Sequence, residues 1–189
     1  MSLNYMLNNT AKTYLSDFNC ILEEMIEKMT GVTLSSSISH NFIVQMIPHH
    51  RAAIDMSENI LKYTDNPTLI KIAQGIIKEQ TKSIADMEQI LCCCSQLNNS
   101  DTDLCQYQSK MDEIMDIMFC SMSNARATDS LNCDFMWEMI PHHRGAVQMS
   151  ENTLKYCICE DLKPILNSII TSQKRGIVQM QRLLRCIGC

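Results

Sequence analysis

The sequence is poor in residues that interrupt helices. Gly occurs 5 times and Pro 4 times in 189 residues, and aromatic side chains make up only 5%. Strands draw on β-branched and aromatic residues between Gly- and Pro-rich turns, so this shortage argues against an all-β fold and for helices. Basic charge is also short: 16 Lys and Arg against 21 Asp and Glu leave a net charge of −5. No basic stripe is present to neutralise phosphates, so nucleic acid is not an expected partner. No apolar run approaches ~20 residues, so no membrane span is expected. The opening stretch, MSLNYMLNNTAKTYLSDFNC, lacks a basic start and a continuous apolar run, so it does not read as a signal peptide. The expected location is cytoplasmic; the alternative is an exported protein whose leader is absent from this chain.

What the chain has in excess is sulfur, with 11 Cys and 15 Met. An odd number of cysteines cannot all pair within one chain, and thiols in a chain without an export signal are usually reduced. The length fits one large domain or two small ones and is enough to bury a core without staples.

The chain repeats itself. Residues 42–93 align without gaps on 135–186, with 24 identities in 52 positions. MIPHHRAAIDMSENILKY (46–63) returns as MIPHHRGAVQMSENTLKY (139–156). Two copies are too few for a solenoid and suit two modules side by side or one pseudo-twofold domain. The expected units are residues 1–97 and 98–189, each a three-helix repeat. Helices are expected near 10–29, 38–64 and 67–93, then near 102–122, 130–157 and 160–187. Ser37 and Ser130 stand where N-caps of the central helices belong, and Pro67 fits a first helical turn. The central helix carries an inward stripe of Phe42, Met46, His49, His50, Ala53, Met56 and Ile60.

The residues with the most chemistry lie on that stripe. At 100° per residue, His49 and His50 straddle Met46 by about 60° and 40°. Met56 lies one to two turns beyond. The second copy repeats the set as Met139, His142, His143 and Met149. Imidazole suits Cu, Zn, Fe and Ni, and thioethers narrow the choice toward Cu(I). The bland alternative is a hydrogen-bonded core histidine, with Gln80 and Gln173 as partners. Met25 and Met29 on the first helix match Met118 and Met122 by the same offset. Such stripes are ordinarily core filler, but facing the His-His helix they would complete a soft site. Pro48 and Pro141 precede each His pair inside a helix, which removes a backbone bond; the alternative places the helix start at the proline.

The cysteines are patchy. Only Cys93 and Cys186 match under the offset, which separates the thiols from the repeated motif. Cys186 and Cys189 make a lone C-x-x-C, a weak zinc signal. The three readings are adventitious thiols, a second soft-metal site, and disulfides. Glu58 and Glu151 are expected in solvent or paired with Lys62 and Lys155 one turn on.

The run F-x-x-x-M-I-P-H-H-R-x-A-x-x-M, followed by Q-x-x-x-I-x-x-M-x-x-x-L, resembles the bacterial domain of unknown function numbered 305. It is read at Phe42 to Met56 with Gln80, Ile84, Met87 and Leu91, and at Phe135 to Met149 with Gln173, Ile177, Met180 and Leu184. The resemblance implies an all-α, ferritin-like helical bundle, often in tandem copies. Some members are linked to copper or silver binding through Met and His. Carried over by position, this points to Met46, His49, His50 and Met56, and to Met139, His142, His143 and Met149. The expected function is Cu(I) or Ag(I) sequestration or transfer, with zinc as a further candidate ion. The expected partner is the metal ion, and a homodimer is compatible with this reading. No catalytic residue is expected. A di-iron oxidase would need Glu-x-x-His on facing helices, and the sequence has none; the inward faces offer sulfur and imidazole rather than carboxylate. The remaining alternative is a structural or interaction module without metal.

Overall fold

The structure is a computed structural model, and it describes residues 7–189. Among these, six helices are the only regular elements: α1 (Asn9–Thr30), α2 (Ile38–Leu61), α3 (Pro67–Cys94), α4 (Asp101–Ser123), α5 (Leu131–Thr153) and α6 (Leu162–Ile187). Their starts follow local chemistry. Asn8, Ser37, Asn66 and Ser100 each accept a hydrogen bond from a backbone N–H of the helix they open. Such caps satisfy donors that a helix leaves unpaired. Pro67 occupies the first turn of α3, where it costs no backbone bond.

Two expectations need correction. Ser130 stands at the N-cap of α5 but makes no capping bond; its hydroxyl lies 2.9 Å from Cys133 Sγ instead. Helix α5 ends at Thr153, four residues short of the expected end. Residues 157–161 form a separate loop into α6, where the first repeat has only the short turn before Pro67. Lys62 bonds Asp17 of α1, and Glu151 pairs with Lys174 of α6. Glu58 and Glu151 are exposed, in keeping with the first of their two readings; the alternative pairing one turn on does not form, because a neighbouring helix offers the opposite charge.

Pro48 and Pro141 lie inside continuous helices, so neither marks a helix start. Within each repeat the central helix packs on both of its neighbours: α2 on α1 and α3, α5 on α4 and α6. Between repeats, α2 packs on α5 and α3 on α6. One apolar core runs through all six helices.

The internal offset survives in the contacts. Asn59 Nδ2 donates to the Tyr14 carbonyl at 3.1 Å, and Asn152 Nδ2 to the Tyr107 carbonyl at 3.4 Å. Tyr14 meets Tyr63 edge-on, and Tyr107 meets Tyr156 in the same way. Asn41 accepts from the Ser35 N–H, and Asp134 accepts from the Thr128 N–H. Each pair is related by the same step of 93 residues as the sequence repeat, so the two halves obey one packing plan.

Candidate metal centre

The contact between α2 and α5 brings the four repeated histidines to the middle of the molecule. His49, His50, His142 and His143 are all at most 2% exposed. Symmetry mates meet directly: the His49 and His142 rings stack with centroids 3.7 Å apart. His50 and His143 flank the stack, at 5.8 and 6.0 Å from their sequence neighbours.

Burial decides the charge state of these rings. An imidazolium is costly away from water, so all four are held below the ordinary histidine value. His50 falls to about 3 and His142 to about 4, burial being the main cause in both. His49 and His143 are lowered as well, by burial first and then by the neighbouring imidazoles. Neutral imidazole is the form that ligates metal.

The hydrogen bonds of the rings are incomplete. His142 Nε2 lies 3.1 Å from the His49 carbonyl, and His50 Nε2 lies 3.1 Å from Ser83 Oγ. Both nitrogens of His49, and Nδ1 of His50, His142 and His143, are buried without a partner. Leaving a buried polar atom unpaired costs on the order of 1–3 kcal/mol. Gln80 and Gln173 are buried close by, but their Oε1 atoms are also unpaired. The alternative of His–Gln bonding is not met at these two residues: His50 meets Ser83, one turn further along α3.

The methionines of the motif are buried throughout. Met46, Met56, Met139 and Met149 are at most 1% exposed, and Met25, Met29, Met118 and Met122 at most 2%. Helices α1 and α4 therefore turn their stripes inward, onto the helices that carry the histidines. Met118 packs directly against α5. A Cβ on Gly145, three residues after His142, would overlap its Sδ. Glycine at that position admits a thioether against the His-His helix.

A groove of about 1070 Å³ runs between α3 and α6, with His50 and His143 among its lining residues. Arg175 of α6 bonds Glu79 of α3 beside it. A Cβ on Gly176 would come within 2.8 Å of His143 Cδ2 and Nε2, so this glycine lets the ring edge lie against the α6 backbone.

Sequence reasoning missed a buried carboxyl. Glu138 is 2% exposed and accepts a 2.5 Å hydrogen bond from the Tyr14 hydroxyl. Burial raises its carboxyl from 4.5 to about 8, against the lowering effect of the Tyr14 bond. Asp134, one turn earlier, is also buried. The inward face of α5 thus does carry carboxyl groups, contrary to expectation. A signal was present: Gln45 and Glu138 are polar residues one turn before the first His in both copies. The C-x-x-C reading also fails, because Cys189 is bonded to Cys133 in a disulfide. That bond removes Cys189 from any pair with Cys186 and sets aside the expectation of uniformly reduced thiols.

An all-helical duplicated scaffold with four buried imidazoles, and buried methionines on the same and neighbouring helices, defines the class of protein. The profile of the domain of unknown function (DUF305) matches residues 38–184, and the chain belongs to that family. Two solved structures of CopM are similar to it. The silver-bound form obtained by soaking is 28% identical, with a TM-score of 0.57, over 78% of this chain and 94% of that one. The Cu(I)-bound form is 28% identical, with a TM-score of 0.55, over 78% and 95%. A DUF305 fragment from Deinococcus radiodurans, 21% identical with a TM-score of 0.57 over 78% and 95%, shares the fold. Comparison with curated proteins gives no match.

Proposed function

We propose that this protein binds Cu(I) or Ag(I), to sequester or pass on the ion, and is a binding protein rather than an enzyme. The observation that carries the reading is His49. Both of its ring nitrogens are buried and unpaired, and its ring stacks on the equally buried His142. Nothing in packing alone repays four desolvated imidazoles, whereas an ion taking lone pairs from neutral nitrogen and thioether sulfur would. The proposed ligands are Met46, His49, His50 and Met56 with Met139, His142, His143 and Met149. Met25, Met29, Met118 and Met122 supply sulfur from the outer helices. Among the described residues no three of the histidines bring ring nitrogens within 4.8 Å of one another, and thioethers on the same helices would complete the coordination. That favours a soft monovalent ion over zinc. The similar CopM structures, in silver-, Cu(I)- and Cu(II)-bound forms, support copper or silver as the ion.

An oxidase reading has less support. Glu138 and Asp134 lie on one helix, and the mate of Glu138 is Gln45, so facing helices do not supply a carboxylate pair. The test is an anaerobic Cu(I) titration against a chromophoric chelator. Replacing His49 and His50 together by Ala is expected to weaken competition at least about tenfold, about 1.4 kcal/mol. Unchanged competition would remove the first repeat from the site. An absent thermal shift with both Cu(I) and Ag(I) would instead favour the metal-free structural module, because a bound ion must raise stability by linkage.

A further inference from the structure

Outside the histidine centre, the described residues contain one cluster of three metal-ligating side chains from the His, Cys, Asp and Glu set. The sulfurs of Cys93, Cys94 and Cys159 all lie within 4.8 Å of one another. Cys93 and Cys94 end α3 of the first repeat, and Cys159 lies in the loop between α5 and α6 of the second. The thiols therefore come from sequence positions 66 residues apart and from different repeats. Cys94 is fully buried, Cys159 half-buried and Cys93 exposed, so the group is open on one side.

We propose that Cys93, Cys94 and Cys159 form a second soft-metal site, a three-thiolate Cu(I) site that ties the two repeats together. Metal–thiolate bonds of about 2.3 Å place three sulfurs around a trigonal ion about 4 Å apart. Cys93 and Cys159 already stand at 3.9 Å. The backbone that presents them is fixed by hydrogen bonds. Ser37 Oγ donates to the Cys94 carbonyl at 2.8 Å, and the Cys159 N–H donates to Ser39 Oγ at 2.9 Å. Asn99 Nδ2 holds the Cys157 carbonyl at 2.8 Å, and Asn99 Oδ1 takes the Ile38 N–H at 2.9 Å. A site on such a braced scaffold needs little rearrangement.

The scaffold itself does not demand these thiols. The positions related to them by the repeat offset are Cys186, Ile187 and Asn66, so the matching positions of the other copy hold one cysteine rather than three. On binding, each coordinating S–H gives its proton to solvent as its sulfur takes the ion; no electron is transferred. The site is independent of the histidine centre, whose imidazole and thioether ligands give no thiolate-to-metal absorption.

The test separates the two sites. Cu(I) is added anaerobically to the full chain, and a thiolate charge-transfer band is followed in the ultraviolet. Alkylation by iodoacetamide is then mapped by peptide mass. Cu(I) is expected to protect Cys93, Cys94 and Cys159 at least about tenfold, while Cys20, Cys105, Cys120 and Cys186 react as before. The Cys93→Ser/Cys159→Ser variant, which leaves buried Cys94 in place, is expected to bind one fewer Cu(I) and to lose the band. Replacing His49 and His50 by Ala should leave the charge-transfer band and the protection of the three thiols intact. Protection spread evenly over all thiols, unchanged stoichiometry in the Ser variant, or a Cys93–Cys159 disulfide in protein alkylated at lysis would overturn the proposal.

Discussion

In the first repeat His50 meets the Ser83 hydroxyl at 3.1 Å; in the second, His143 meets the bare backbone of Gly176. In the first repeat Gln45 precedes His49 by one turn; in the second, a buried Glu138 precedes His142. The first repeat has Ala52 where the second has Gly145, against which Met118 packs. The histidines, the prolines and the motif methionines are common to both copies, and the side chains that touch them differ. Duplication has kept the donor set and altered its surroundings. The two halves thus surround their histidines with different polarity, which substitutions can take apart.

The largest effect is expected from the stacked pair. His49 and His142 touch across the interface between repeats, so neither repeat owns its site. Replacing His142 and His143 by Ala should weaken Cu(I) binding as much as replacing His49 and His50. The four-fold Ala variant should lose less than the sum, since residues in contact are not additive. Chelator competition across this cycle gives the coupling. Strict additivity would mean two separate sites.

Acid comes next. The four imidazoles are held below their unfolded value of 6.5. In the metal-free protein their contribution is complete above pH 6.5 and is lost as the pH falls toward 3–4. Each group contributes up to about 1.4 kcal/mol per pH unit in that window. Glu138 runs the other way. Its carboxyl is raised from 4.5 to about 8, so its contribution is present below 4.5 and lost as the pH rises through about 8. The histidines outnumber it, so stability should climb steeply to about pH 6.5 and decline gently above. Glu138→Gln, which copies Gln45, should flatten the decline above pH 6.5 and steepen the rise between 4.5 and 6.5, because the carboxyl it removes acts between 4.5 and about 8. Urea midpoints across this range check both limbs, and a level acid limb would show that the rings are solvated.

How much of this could be read beforehand depended on where the information lay. The repeat, the helices and the inward His-Met stripe follow from spacing along one helix, which sequence carries directly. Ser37 could be recognised as a cap for the same reason, since its partner is the His40 N–H three residues on. Contacts between helices were not legible. Lys62 chooses Asp17, and Glu151 chooses Lys174, because α1 and α6 bring those charges alongside. The Tyr14–Glu138 bond joins residues 124 apart. The thiol cluster hides for the same reason: Cys159 belongs to a loop whose mate in the first repeat is Asn66, so the offset that revealed the histidines obscured the cysteines.

A smaller effect is expected where α6 meets His143. Gly176→Ala would set a Cβ within 2.8 Å of the imidazole, and crowding of that kind costs about 1–3 kcal/mol. The mirror change, Ser83→Gly, removes the hydroxyl from His50 and should cost about 1 kcal/mol for the hydrogen bond, with a similar helix-propensity penalty. If instead Gly176→Ala proves neutral in thermal unfolding, His143 has room to turn away, and the tight approach is not a feature of the folded ensemble.

Gly145→Ala is expected to have the smallest effect, because two terms oppose each other. Alanine in a helix interior is favoured over glycine by about 1 kcal/mol. The added Cβ, however, overlaps the Met118 sulfur. Methionine is flexible and can withdraw, and the first repeat shows that the scaffold accepts this arrangement, since Ala52 and Met25 stand at the matching positions and both are buried. Stability should therefore change by less than about 1 kcal/mol in either direction. Cu(I) affinity responds differently if Met118 is a ligand, because its sulfur is then displaced from the His-His helix while the fold is untouched. A drop in chelator competition at unchanged Tm would mark Met118 as part of the second repeat's ligand set, and equal affinity would return it to the core.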